Sequence, residues 1–148
     1  MKSRDKLTIL LVDDDPTTNF LHQRTLKRTF SDIMVFESLD GKSALERLRE
    51  DQRDGFAAPH VIFLDINMPV LDGWGFLRGY RELDPKWRAN TELYILTTSL
   101  NPDDHRRADD IVEVAGVFDK ILTADRIEPF RLRWAELKTG ELQGEYAE

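Results

Sequence analysis

The stretch Thr8-Ile9-Leu10-Leu11-Val12-Asp13-Asp14-Asp15-Pro16 sets a nearly unbroken apolar run against three consecutive carboxylates and a proline. An apolar run without polar alternation is what a strand of a parallel sheet needs, because helices cover both faces of such a sheet. Asp15-Pro16 then opens a helix. The carboxylate can accept from the free N–H groups of the first turn, and proline suits the first helical position. Phe20, Leu21, Thr25 and Leu26 are expected to face inward from that helix.

The same alternation continues along the chain. Ile33-Met34-Val35-Phe36, Val61-Ile62-Phe63-Leu64 and Leu93-Tyr94-Ile95-Leu96 read as three further strands, and Val117-Phe118 as a short fifth after Gly116. Between them, Ser43 to Glu50 is helical with Ala44, Leu45 and Leu48 on one side. Gly73 to Leu83 carries Phe76, Leu77 and Tyr80 at helical spacing and is closed by Asp84-Pro85. Pro102 to Val112 reads as a polar, lightly packed helix. Ile127, Phe130, Trp134 and Leu137 mark a last helix, in which Pro129 is tolerable only within the first turn. Five strands alternating with five helices define an α/β domain: a five-stranded parallel sheet, doubly wound, in three αβα layers. The domain is expected over 6–137, with 138–148 a polar tail that frays and no output domain.

Composition narrows the function. A chain of 148 residues, 41% of them hydrophobic, suits one domain with a real core. The absence of cysteine excludes disulfides, thiolate metal sites and a cysteine nucleophile. A net charge of −7 argues against a binder of nucleic acid, which needs a basic face. No apolar run approaches the roughly 20 residues of a membrane span. The charged start of the chain has no signal-peptide core, so a soluble, cytoplasmic protein is expected.

Ligands of doubly wound folds sit outside the carboxyl ends of the strands. There the sequence places Asp13-Asp14-Asp15 after strand one, Asp65 after strand three, Thr97-Thr98-Ser99 after strand four and Asp119-Lys120 after strand five. Adjacent carboxylates repel unless a cation is supplied, and a hard divalent cation suits an all-oxygen site. Metal, ammonium and hydroxyl together can hold a phosphoryl group, with an aspartate as nucleophile.

These segments resemble the response-regulator receiver domain, the phosphoacceptor module of two-component signalling, with its flavodoxin-like fold. The resemblance rests on Ile9-Leu10-Leu11-Val12-Asp13-Asp14-Asp15, Leu64-Asp65-Ile66-Asn67-Met68-Pro69-Val70-Leu71-Asp72-Gly73, Leu96-Thr97-Thr98 and Lys120, in the family's order. It implies a single-domain response regulator that switches partner binding. Asp65 would accept a phosphoryl group from a histidine kinase or histidine phosphotransfer protein. It further implies Mg²⁺ bound by Asp14, Asp65 and the backbone carbonyl of Asn67, with Asp13 acting mostly through water. Thr97 would bond the phosphoryl oxygen and Lys120 would pair with it, while Met68-Pro69 and Asp72-Gly73 shape the loop. The domain would be a phosphoacceptor taking part in its own phosphorylation and dephosphorylation rather than an enzyme.

Two positions depart from the family. Lys120-Ile121 replaces the usual Lys-Pro with its cis bond; a cis bond before a non-proline residue costs about 2.5–4 kcal/mol, so a trans or rearranged turn is expected. Val117 stands where the family commonly has an aromatic switch residue, with Phe118 on the opposite face. A magnesium-dependent aspartyl phosphatase of the haloacid-dehalogenase type is disfavoured, because Asn67 stands where its second aspartate belongs. A phosphorylation-independent interaction domain is the other rival. His22, His60 and His105 lack metal-like spacing and are expected at the solvent surface. Trp74 reads as packing near the site. Phe130 and Trp134 read most simply as core contacts, and with Leu137 they also make a candidate homodimer or partner face.

Overall fold

The computed structural model describes residues 6–98 and 100–146, with side chains described through residue 136. Ser99 and the side chain of Leu137 therefore lie outside the described residues. The elements are β1 (Leu7–Val12), α1 (Pro16–Thr29), β2 (Ile33–Ser38), α2 (Gly41–Arg53), β3 (Val61–Asp65), α3 (Gly73–Tyr80), β4 (Glu92–Thr97), α4 (Pro102–Asp109), β5 (Val114–Asp119) and α5 (Ala124–Tyr146). All strand pairs are parallel, and the sheet order is β2-β1-β3-β4-β5. This is the flavodoxin-like doubly wound fold.

Period-two alternation in the central strands divides the core. Leu10, Val12, Ile62, Leu64, Leu93 and Ile95 pack under α2, α3 and α4 with Leu48, Phe76, Leu77 and Ala108. Leu7, Ile9, Leu11, Phe63, Tyr94 and Leu96 face α1 and α5, against Leu26, Ile127 and Phe130. Each fully buried side chain of this size contributes about 1.5–3 kcal/mol, so both helical layers are anchored on three central strands.

Local chemistry starts the helices as expected. Asp15 accepts from Thr17 N–H at 3.0 Å with Pro16 at the first position of α1, and Asp40 and Asp72 cap α2 and α3 in the same manner. Several expectations are corrected. The buried face of α1 is Asn19, His22 and Leu26, while Phe20 is 62% exposed. Helix α3 ends at Tyr80; Leu83 is buried all the same, in the following turn, where its N–H reaches the Tyr80 carbonyl. Strand β5 is longer than Val117-Phe118, and α4 is shorter than expected, with Ala108 its one buried residue.

Pro129 is the sixth residue of α5, beyond the first turn, yet the helix continues to Tyr146 through the segment expected to fray. Ile127 and Phe130, both buried beside it, hold that part of the helix against the sheet by packing. The Lys120–Ile121 peptide bond is cis, against the expectation of a trans or rearranged turn.

Candidate functional site

The sheet order reverses between β1 and β3: β2 lies on one side of β1, and the chain continues outward from β3 on the other. Ligand crevices of open α/β sheets form at such a point. Asp13 follows β1 and Asp65 ends β3, so the two carboxylates flank that crevice. Both are 3% exposed. Asp13 Oδ1 accepts the Asp15 N–H, and Asp65 Oδ1 accepts the Asn67 N–H, each at 3.0 Å. This shared turn geometry locks both carboxylates and leaves each second oxygen facing the crevice. Those oxygens meet one ammonium. Lys120 Nζ lies 2.7 Å from Asp13 Oδ2 and 3.0 Å from Asp65 Oδ2.

Asp14 is exposed, and one oxygen from each of Asp13, Asp14 and Asp65 falls within 4.8 Å of the others. Three carboxylates against one ammonium leave two negative charges, which a hard divalent cation would neutralise. Thr97 is buried at the end of β4, and its carbonyl accepts the Lys120 N–H at 3.1 Å, carrying Lys120 to the site. Asn67 is exposed on the β3–α3 loop. The structure thus brings the expected acids, hydroxyl and lysine to one sheet edge.

Burial pushes the Asp65 carboxyl up from its ordinary 3.8, while the Asn67 N–H and the Lys120 ammonium pull it down. Burial also works against the charged form of Lys120, but hydrogen bonds and charge from Asp13 and Asp65 outweigh it and raise the lysine above 10.5. The ammonium, gripped on two sides at short range, favours an ionised Asp65 at neutral pH.

The loop behind Asp65 depends on Gly73. Its N–H reaches the Ile66 carbonyl at 3.1 Å, and a Cβ there would lie 2.5 Å from Ile66 Cα and 2.9 Å from the Asp65 carbonyl oxygen. Only glycine permits that approach. Trp74, the next residue, is buried, with the Arg107 guanidinium 4.4 Å above its ring.

The histidines are the clearest departure from expectation. His22 is 1% exposed, and its Nε2 accepts the Leu122 N–H at 3.1 Å. His60 is half-buried; its Nδ1 accepts the Thr8 N–H at 2.9 Å, and its ring meets Trp134 edge-on at 4.5 Å. His105 is half-buried as well. Burial pushes the His22 imidazole below 6.5; Asp13 opposes this and Lys120 adds to it. Asn19, fully buried one turn earlier, donates from Nδ2 to the Asp13 carbonyl at 3.0 Å. The sequence offers no expectation for Asn19, and His22, expected at the solvent surface, is buried instead. The i, i+3 spacing from Asn19 to His22, continued by Leu26, was the available signal.

Val117 packs on the α4 side of the sheet, and no ring occupies that position. Phe118 stacks on Tyr94 at 5.0 Å on the opposite face, beside Phe130. Phe130 is a core residue, and Trp134 is half-buried against the same cluster.

The family described as response regulator receiver domain matches residues 9–128, and the chain belongs to that family. It is 32% identical over 108 residues to the probable methanogenesis regulatory protein FilR2 of Methanothrix harundinacea, covering 73% of this chain and 68% of that one. It is 31% identical over 109 residues to the response regulator Rcp1 of Synechocystis, covering 70% and 69%. Among solved structures, a two-component response regulator from Cytophaga hutchinsonii superposes with a TM-score of 0.77 at 27% identity, covering 86% of this chain and 96% of that one. Receiver domains are signalling domains that accept phosphoryl groups from histidine kinases. No described helix is long and apolar enough to cross a membrane.

Proposed function

We propose that this receiver accepts a phosphoryl group on Asp65, in a Mg²⁺-dependent reaction, from a histidine kinase or histidine phosphotransfer protein, and so changes which partner it binds. The observation that carries this reading is the Lys120 ammonium set between the carboxylates of Asp13 and Asp65 at the point where the sheet order reverses.

Asp14, Asp65 and the Asn67 carbonyl would hold Mg²⁺, with Asp13 acting through water. The ion would neutralise charge on the phosphoryl oxygens during transfer. An oxygen of the Asp65 carboxylate forms a bond to the donor's phosphorus. The phosphorus–nitrogen bond of the donor histidine breaks, and its electron pair returns to the imidazole. Asp65 is left as an acyl phosphate, which water later hydrolyses to phosphate and the free carboxylate. Lys120 pairs with the phosphoryl oxygens from its place beside Asp65, and the Thr97 hydroxyl bonds one of them. With Val117 at the switch position, we assign the response to the β4–α4 connection and α4. Its single buried residue, Ala108, makes α4 the helix least held by the core.

Intact mass after incubation with acetyl phosphate tests the reading. An adduct that requires both Mg²⁺ and Asp65 supports it; an adduct of equal yield in Asp65→Asn overturns it. Self-association belongs to the same proposal only through the outer surface of α5, where Leu132 is exposed and Trp134 half-exposed. Sedimentation of wild type beside Trp134→Ala tests it, and an unchanged monomer in both removes it.

A further inference from the structure

Two hydrogen bonds hold the turn that carries Lys120. The Lys120 N–H reaches the Thr97 carbonyl at 3.1 Å, and two residues on the Leu122 N–H reaches His22 Nε2 at 3.1 Å. Ile121 between them is 48% exposed and lacks the ring that would fix φ in a proline. The second anchor therefore comes from α1, a hundred residues away in sequence. The same turn of α1 supplies Asn19, whose Nδ2 holds the Asp13 carbonyl. Asp13 and Lys120 are the pair in contact at 2.7 Å. One buried face of α1 thus braces the backbone on both sides of that ion pair.

Accepting at Nε2 requires a neutral imidazole with its proton on Nδ1. His22 is buried well enough to stay neutral, facing Asp13 from the β1 side and Lys120 from the β5 side. A buried residue serving packing alone would be equally satisfied by an apolar side chain of similar size. An acceptor aimed at Leu122 is what the positioning of the turn demands.

We propose that His22 is a positioning residue for phosphoryl transfer: by accepting the Leu122 N–H it fixes the turn after β5 and holds the Lys120 ammonium between Asp13 and Asp65. This rests on the phosphoacceptor reading for its kinetic consequence, but not for the placement of the lysine.

The test compares His22→Leu, which fills the space without an acceptor, with His22→Gln, which keeps one. His22→Met stands in if the leucine variant does not fold. With acetyl phosphate and Mg²⁺, the leucine variant is expected to acquire the adduct about tenfold more slowly, as misplaced catalytic groups do, and the glutamine variant to recover most of that loss. In a Lys120→Gln background, His22→Leu is expected to cause no further slowing. Equal slowing in both backgrounds overturns the proposal, since the histidine would then act by some route other than the lysine. Separately, NMR of ¹³C-lysine-labelled protein reads Lys120 Cε without any phosphoryl transfer. Its signal is expected to move toward that of an exposed lysine in His22→Leu and to stay in place in His22→Gln. A signal unmoved in His22→Leu overturns the proposal. Absence of any adduct in wild type would instead count against the phosphoacceptor reading, leaving the NMR comparison to decide the role of His22.

Discussion

The Asp65 carboxylate at the end of β3 and the Lys120 ammonium beyond β5 stand 3.0 Å apart, across the intervening strand β4. This contact joins two segments far apart in the chain, and it closes the acidic crevice with its own counter-ion. The lysine side chain is 14% exposed and the aspartate side chain 4%, so solvent screens the pair only weakly.

Removing the ammonium leaves the Oδ2 atoms of Asp13 and Asp65 without the cation they share, while each Oδ1 keeps its backbone N–H. Lys120→Met is expected to lose roughly 1–3 kcal/mol of stability in metal-free buffer. Added Mg²⁺ is expected to restore part of the loss, because an ion that binds only the folded state stabilises it by mass action. Urea unfolding of both proteins, with and without Mg²⁺, measures this. An equal effect of Mg²⁺ and of NaCl at matched ionic strength would contradict it.

His22 sets a pH dependence whose sign follows from its depressed folded-state value. Above its ordinary 6.5 the imidazole is neutral in both states, and the Leu122 bond is intact. As pH falls below 6.5 the unfolded chain takes up the proton first, so stability is lost until the folded imidazole also protonates. Asp65, raised by burial, works in the opposite direction at lower pH. The difference between wild type and His22→Gln isolates the histidine. That difference in unfolding free energy is expected to move against wild type between neutral pH and pH 5, and a flat difference would contradict the assignment.

Gly73 is expected to tolerate no side chain. The Cβ of Gly73→Ala would fall on backbone atoms of Asp65 and Ile66, which cannot rotate away. A loss of roughly 1–3 kcal/mol is expected for overpacking of this kind. Phosphorylation should slow as well, because the strain falls on the residue that carries the nucleophile. Thermal unfolding and adduct formation in the same variant measure both.

The order of elements was legible because it rests on strong local signals. The runs at Ile9–Val12 and Val61–Leu64 and the caps at Asp15 and Asp72 each point one way. The acids and the lysine were legible for the same reason, since strand ends of a doubly wound sheet converge. The inward face of α1 was not. Asn19 and His22 are polar, and a polar residue on a helix reads as solvent-facing until its partner is known; those partners are Asp13 and the distant Leu122. Pro129 within α5, His22 and His60 were misjudged likewise, because packing and long-range hydrogen bonds overrode local preference. Val117 puts no aromatic ring at its position in β5, and the nearby ring, Phe118, is committed to Tyr94 on the other face.

Borohydride reduction of protein incubated with acetyl phosphate and Mg²⁺, followed by peptide mass mapping, tests the central claim most directly. An acyl phosphate is reduced to the alcohol, which marks the residue that carried it. The account predicts a single mark at Asp65, absent without Mg²⁺. A mark at Asp13 or Asp14 with Asp65 unmodified would contradict it.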